Sequence, residues 1–164
     1  KLVFMAEKPK EDFTIMNKII ILTILGLTTL IACQKNNINN DPIADVPVNI
    51  TINMALPLYS HLLNEGTFIY WDGGVKGIVV VHYQNDEYYA FDRSCSYQPS
   101  TSCAKIEVDS SFMVFRCGNT QITGFEKCCD SKFFMNGQVL NGPATFGLKQ
   151  YQVIKNGTEL SVKN

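Results

Sequence analysis

The chain has 164 residues, a formal net charge of −1 and no long run of one charge sign. That balance excludes the basic surface a nucleic-acid-binding protein needs. Aromatic residues make up 11%, with ten Phe and seven Tyr, as expected of a packed globular domain.

In chain order, residues 1–15 begin with lysine and precede a signal-like start, so they read as an over-extended gene model and are set aside from the fold. From Met16 a short basic start at Lys18 leads into an apolar run, Ile19 to Ile31, that ends in Leu30-Ile31-Ala32-Cys33. Residues 16–32 have the three-part layout of a secretory signal, with an apolar core too short for a comfortable membrane span. The final tetrapeptide resembles a bacterial lipobox. The resemblance implies cleavage before Cys33 and acylation of its thiol and new amino end. Residues 33–45 (Gln34 to Asp45 after the lipid cysteine) are rich in Asn and Asp and cannot repay the entropy of ordering, so they read as a tether. Gln34 is not Asp, which by sorting analogy points to the outer membrane. The expected setting is the bacterial cell envelope, with the chain held in the lipid bilayer through Cys33 and facing the periplasm. Disulfides persist there.

Residues 46–164 read as one domain. Val48, Ile50 and Ile52 alternate with polar residues, the pattern of a half-buried strand. Leu58 to Asn64 reads as a helical turn. Thr67 to Trp71 is a strand that ends at the turn signal Asp72-Gly73-Gly74. The β-branched run Gly77 to Tyr83 predicts a central strand, and Tyr88 to Asp92 the next. Ile106 to Val108 and Phe112 to Cys117 follow, the latter placing Met113, Phe115 and Cys117 on one face. Lys132 to Met135, a turn at Asn136-Gly137, Gln138 to Leu140, Leu148 to Ile154, a turn at Asn156-Gly157 and Glu159 to Lys163 complete the chain. Many short strands with turn signals, and no long amphipathic helix, predict an all-β domain.

Two cysteine-bearing loops carry whatever chemistry the domain has. Loop one is Cys95-Ser96-Tyr97-Gln98-Pro99-Ser100-Thr101-Ser102-Cys103, and loop two is Glu126-Lys127-Cys128-Cys129-Asp130-Ser131-Lys132-Phe133. Ala90-Phe91-Asp92-Arg93 leads into the first, and Gly142-Pro143-Ala144 follows the second, with Leu148 and Tyr151 beyond it. In the order of these elements the sequence resembles the Rieske iron–sulfur domain family over about residues 46–162. The resemblance implies an antiparallel β-sandwich or partly open barrel with a smaller loop subdomain. It also implies a [2Fe–2S] site, in which one iron takes two thiolates and the other two imidazoles, from C-x-H in loop one and C-x-x-H in loop two.

Carried over residue by residue, Cys95 falls at the first cysteine, Tyr97 at the first histidine, Glu126 at the second cysteine and Cys129 at the second histidine. The chain's two histidines lie outside both motifs: His82 reads as a strand residue and His61 as a surface one. The expectation is therefore no resident cofactor and no metal, with [2Fe–2S] as the alternative. The resemblance further implies a bridge between the loops, Cys103 to Cys128, and a facing pair at Cys95 and Cys129, with Cys117 buried and apart. Read on their own residues, the cysteines leave three uses open: structural disulfides, a metal or cluster, and redox-active thiols. The zinc-type C-x2-C spacing is absent.

No nucleophile, base and orienting group occur together, and Glu126 and Asp130 read as solvated carboxylates, so the chain is not read as an enzyme. Two functions follow as expectations. One is a non-enzymatic structural or binding module with an envelope protein as partner; the other is an electron-transfer or thiol-redox protein working at the loop tips.

Overall fold

The computed structural model describes residues 43–111 and 113–164. The signal segment, Cys33, most of the tether and Phe112 lie outside the described residues.

Among the described residues, ten strands form two antiparallel sheets. They are β1 (Asn49–Asn53), β2 (Phe68–Trp71), β3 (Ile78–His82), β4 (Tyr88–Asp92), β5 (Ile106–Asp109), β6 (Val114–Gln121), β7 (Gly124–Phe134), β8 (Val139–Asn141), β9 (Gln150–Asn156) and β10 (Glu159–Lys163). The larger sheet has the order β1-β10-β9-β4-β3-β2, and the smaller has β5-β6-β7-β8. Among the described residues the only helical element is a 3-10 turn at Ser60–Leu63, inside the segment the sequence marks as a helical turn.

Side-chain alternation assigns the two cores. All five residues of β3 are buried. Val79 and Val81 face one core, with Phe91, Phe115 and Phe133, while Ile78 and Val80 face the other, with Ile52, Tyr151 and Leu160. A strand covered on both faces has no polar side to show, so it reads as a continuous apolar run. In β1 one face is wet, and only Ile50 and Ile52 are buried.

The carboxylate of Asp92, fully buried at the end of β4, ties the larger sheet to loop one. It accepts hydrogen bonds from the backbone N–H of Val75 (2.6 Å) and Ser94 (2.8 Å) and from the Tyr151 hydroxyl (2.9 Å). A buried carboxylate is tolerable only when its oxygens are so occupied. Gly74 is required beside it: a Cβ there would lie 2.3 Å from Asp92 Oδ2, at a φ of +60°. Arg93 extends the brace. Its guanidinium stacks 3.6 Å over the Tyr70 ring, and its Nε donates to the carbonyl of Ile106.

Three expectations need correction. Residues 43–45, read as the end of the tether, are packed on the domain: Ile43 is buried, and Lys149 Nζ donates to Ala44 O and Asp45 Oδ1. Met113 does not share an inward face with Phe115. It has a φ of +50° and is exposed, because it belongs to the turn and β6 begins only at Val114. Loop two is not a loop over its whole length. Glu126 to Phe133 fall within β7, which pairs with β6 along most of its run.

Candidate thiol centre

The smaller sheet builds the site through one irregularity. Arg116 pairs with Lys132, yet the next pair is Gly118 with Lys127. One residue of β6, Cys117, therefore faces four of β7, Cys128 to Ser131. A bulge of this kind re-aims side chains and interrupts the ladder. Beyond it, Gly118 to Gln121 pair with Gly124 to Lys127 as a hairpin extension. Gly118 makes the close approach: it has a φ of +153°, and a Cβ there would meet the Glu126 carbonyl oxygen at 2.3 Å. The extension carries ten residues of sequence away from the site, so Cys117 lies next to Cys128 and Cys129 in space.

Loop one arrives from the other side. Its arms are held together by Cys95 N–H to Ala104 O (3.0 Å) and Ile106 N–H to Arg93 O (2.7 Å). Ile106 in turn pairs with Cys117. Cys103 and Cys128 form a disulfide, with Cα atoms 5.5 Å apart, which staples loop one to β7. Successive side chains on an extended chain point opposite ways, so the neighbouring Cys129 turns inward.

Cys95, Cys117 and Cys129 are free thiols whose sulfurs all lie within 4.8 Å of one another. Cys95 and Cys117 are buried, and Cys129 is half-buried. The Cys95 and Cys129 sulfurs are 3.9 Å apart, too far for a bond, so the second bridge implied by the resemblance is not formed. Nor is Cys117 apart from the others; the bulge turns it into the centre. Ser131 closes one side. Its hydroxyl oxygen accepts from Cys129 Sγ (3.2 Å) and from Ala144 N–H (2.9 Å), which docks the segment after the cis Gly142–Pro143 bond onto the thiols.

The three thiols bias one another's protons. Cys95 is held down to about 6, chiefly by hydrogen bonding from Cys117, with the Tyr97 backbone N–H, Cys129 and Ser131 acting the same way against burial. Cys117 is pushed up, first by its hydrogen bond to Cys95 and then by burial. Such an arrangement biases Cys95 toward the thiolate and Cys117 toward the thiol.

Of the remaining sequence candidates only Tyr97 touches this centre, through its backbone N–H. Tyr97 packs half-buried against the core that contains it. Glu126 is exposed on the hairpin extension, paired with Asn119. The thiol that joins Cys95 and Cys129 is Cys117. His82 is buried at the end of β3 and stacks on Tyr88, and His61 is exposed. Counting C-x-x-H back along the chain finds Glu126; only the pairing of β6 with β7 finds Cys117.

The architecture compares with solved structures. The cyanobacterial plasma membrane Rieske protein PetC3 from Synechocystis PCC 6803 is similar over 71% of this chain and 99% of its own, with 21% identity and a TM-score of 0.50. The fold is Rieske-like. The ferredoxin of carbazole 1,9a-dioxygenase from Nocardioides aromaticivorans IC177 is matched at 18% identity over 72% of this chain and 97% of its own, with a TM-score of 0.42. No protein-family model and no curated protein matches the sequence.

A Rieske-like fold raises the question of a [2Fe–2S] cluster, and the residues do not fit one. The cluster needs two thiolates on one iron and two imidazoles on the other. Here the residue-by-residue carry-over puts Tyr97 and Cys129 where imidazoles would be required, and neither His61 nor His82 joins the gathered thiols. The group that does gather, Cys95, Cys117 and Cys129, offers three sulfurs and no imidazole.

Proposed function

We propose that the protein is a lipid-anchored cell-envelope protein whose Rieske-like domain has given up its [2Fe–2S] cluster and serves as a non-enzymatic module for an envelope partner. The observation that supports the reading is that three free thiols, with no histidine among them, gather where the two cysteine-bearing segments meet. The membrane setting rests on Leu30-Ile31-Ala32-Cys33. It agrees with the description of PetC3 as a plasma membrane protein. A second reading, thiol-redox chemistry, is favoured by the 3.9 Å approach of Cys95 to Cys129.

Isolation of the full chain from membranes without oxygen tests the proposal. The expected protein is colourless, contains neither iron nor acid-labile sulfide, and leaves the membrane fraction when Cys33→Ser is introduced. About two irons and two sulfides per chain, the content of one cluster, would overturn the cluster-free reading. Unchanged membrane partition of Cys33→Ser would overturn the anchor.

A further inference from the structure

We propose that Cys95, Cys117 and Cys129 form a three-coordinate site for a single soft cation, Cu(I). The inference rests on the cluster-free reading, because the same sulfurs cannot serve both.

Geometry supports it first. A metal–thiolate bond of about 2.3 Å places sulfurs in one coordination shell roughly 3.8–4.0 Å apart. Cys95 and Cys129 already stand at 3.9 Å, and Cys117 lies within 4.8 Å of both. The sulfurs need to close by less than about 1 Å, within the reach of small side-chain rotations.

The donor set then selects the ion. Thiolate-only sites suit Cu(I), zinc and iron–sulfur clusters. Structural zinc is almost always four-coordinate and tetrahedral. No fourth Cys, His, Asp or Glu joins the group among the described residues. The nearest further oxygen, the Ser131 hydroxyl, is engaged by Ala144 N–H and Cys129. Three sulfurs and no fourth ligand suit a trigonal Cu(I) ion.

The surroundings supply charge and access. Lys76 donates to the carbonyls of Thr101 and Ala104 in loop one, and its charge interacts with Cys95 and Cys117. It offsets part of the negative charge that bound thiolates would bring into a buried place. A cavity of about 210 Å³ leads in from solvent, with Cys117 and Cys129 on its wall and the Arg116 guanidinium stacked over Phe125 beside them. Ions therefore reach the centre past the half-buried Cys129. The Cys103–Cys128 bridge withholds those two sulfurs, so loading is limited to one ion.

The test is an anaerobic titration of the full chain, disulfide intact, with a Cu(I) salt in competition with a chromophoric Cu(I) chelator. One ion per chain is expected, with three sulfurs at about 2.3 Å by X-ray absorption. Cys129→Ser, the least buried position, is expected to weaken binding by more than about tenfold, and Cys117→Ser to do the same, with circular dichroism confirming the fold of each. Failure to bind one Cu(I), or a two-sulfur site indifferent to Cys117→Ser, would overturn the proposal. So would a preference for Zn(II) in a four-coordinate site. These outcomes differ from iron and sulfide in the protein as isolated, which would overturn the cluster-free reading itself.

Discussion

At the scale of single residues, the site is a matter of protons shared among sulfurs. Cys95 titrates at about 6 in the folded chain, against 9.0 for an ordinary thiol. A depressed acid stabilises the fold through its ionised form. The contribution is complete above 9.0 and is lost as the pH falls through about 6, below which folded and unfolded chains both hold the proton. Cys117 is shifted upward, so above 9.0 the unfolded chain ionises it first and stability declines again as the pH rises. Denaturant unfolding of the metal-free, oxygen-free protein should therefore show stability rising with pH between about 6 and 9.0. Cys95→Ser should flatten that rise. A wild-type curve already flat across the window would contradict a localised thiolate at Cys95.

At the scale of elements, the decisive feature is the β6–β7 pairing, which removes residues 118–127 into a hairpin extension and brings Cys117 opposite the segment that holds Cys128 and Cys129. A reconstitution experiment follows from it. If Cys95 and Cys117 serve as the two thiolates, Tyr97→His and Cys129→His together complete the two-thiolate, two-imidazole set. The double variant, supplied with iron and sulfide, is expected to take up a cluster with the EPR signal of a reduced Rieske centre; adding Glu126→Cys should bring no gain. A cluster that appears only when Glu126→Cys is included would contradict the assignment of Cys117. The same pairing explains what could be read in advance. Strand periods are local, so β3, β4 and β10 stand within a residue or two of where Gly77 to Tyr83, Tyr88 to Asp92 and Glu159 to Lys163 put them. The order of the cysteine-bearing segments pointed to the right architecture. A bulge that sets one residue opposite four depends on partners more than ten positions away, and no period or spacing around Cys117 betrays it. Met113 was misplaced for a related reason: the apolar alternation Met113-Phe115-Cys117 is real in sequence, but a turn residue with positive φ breaks it.

At the scale of the molecule, the larger sheet acts as a platform and the smaller one carries the site. The buried Asp92 carboxylate and the Arg93–Tyr70 stack fasten the platform to loop one. The Cys103–Cys128 bridge, of a kind that typically contributes about 2–4 kcal/mol, fastens loop one to β7. The free thiols are thus held between two fastened segments, loop one and β7. The central claim is a division of the cysteines: two in a structural bridge and three convergent and free in place of an iron–sulfur site. Disulfide mapping by mass spectrometry tests it most directly, on protein isolated without oxygen, unfolded and alkylated before digestion. The account predicts one cross-linked peptide pair, Cys103 with Cys128, and alkylation of Cys95, Cys117 and Cys129. A Cys95–Cys129 cross-link, or any bridge that includes Cys117, would contradict it.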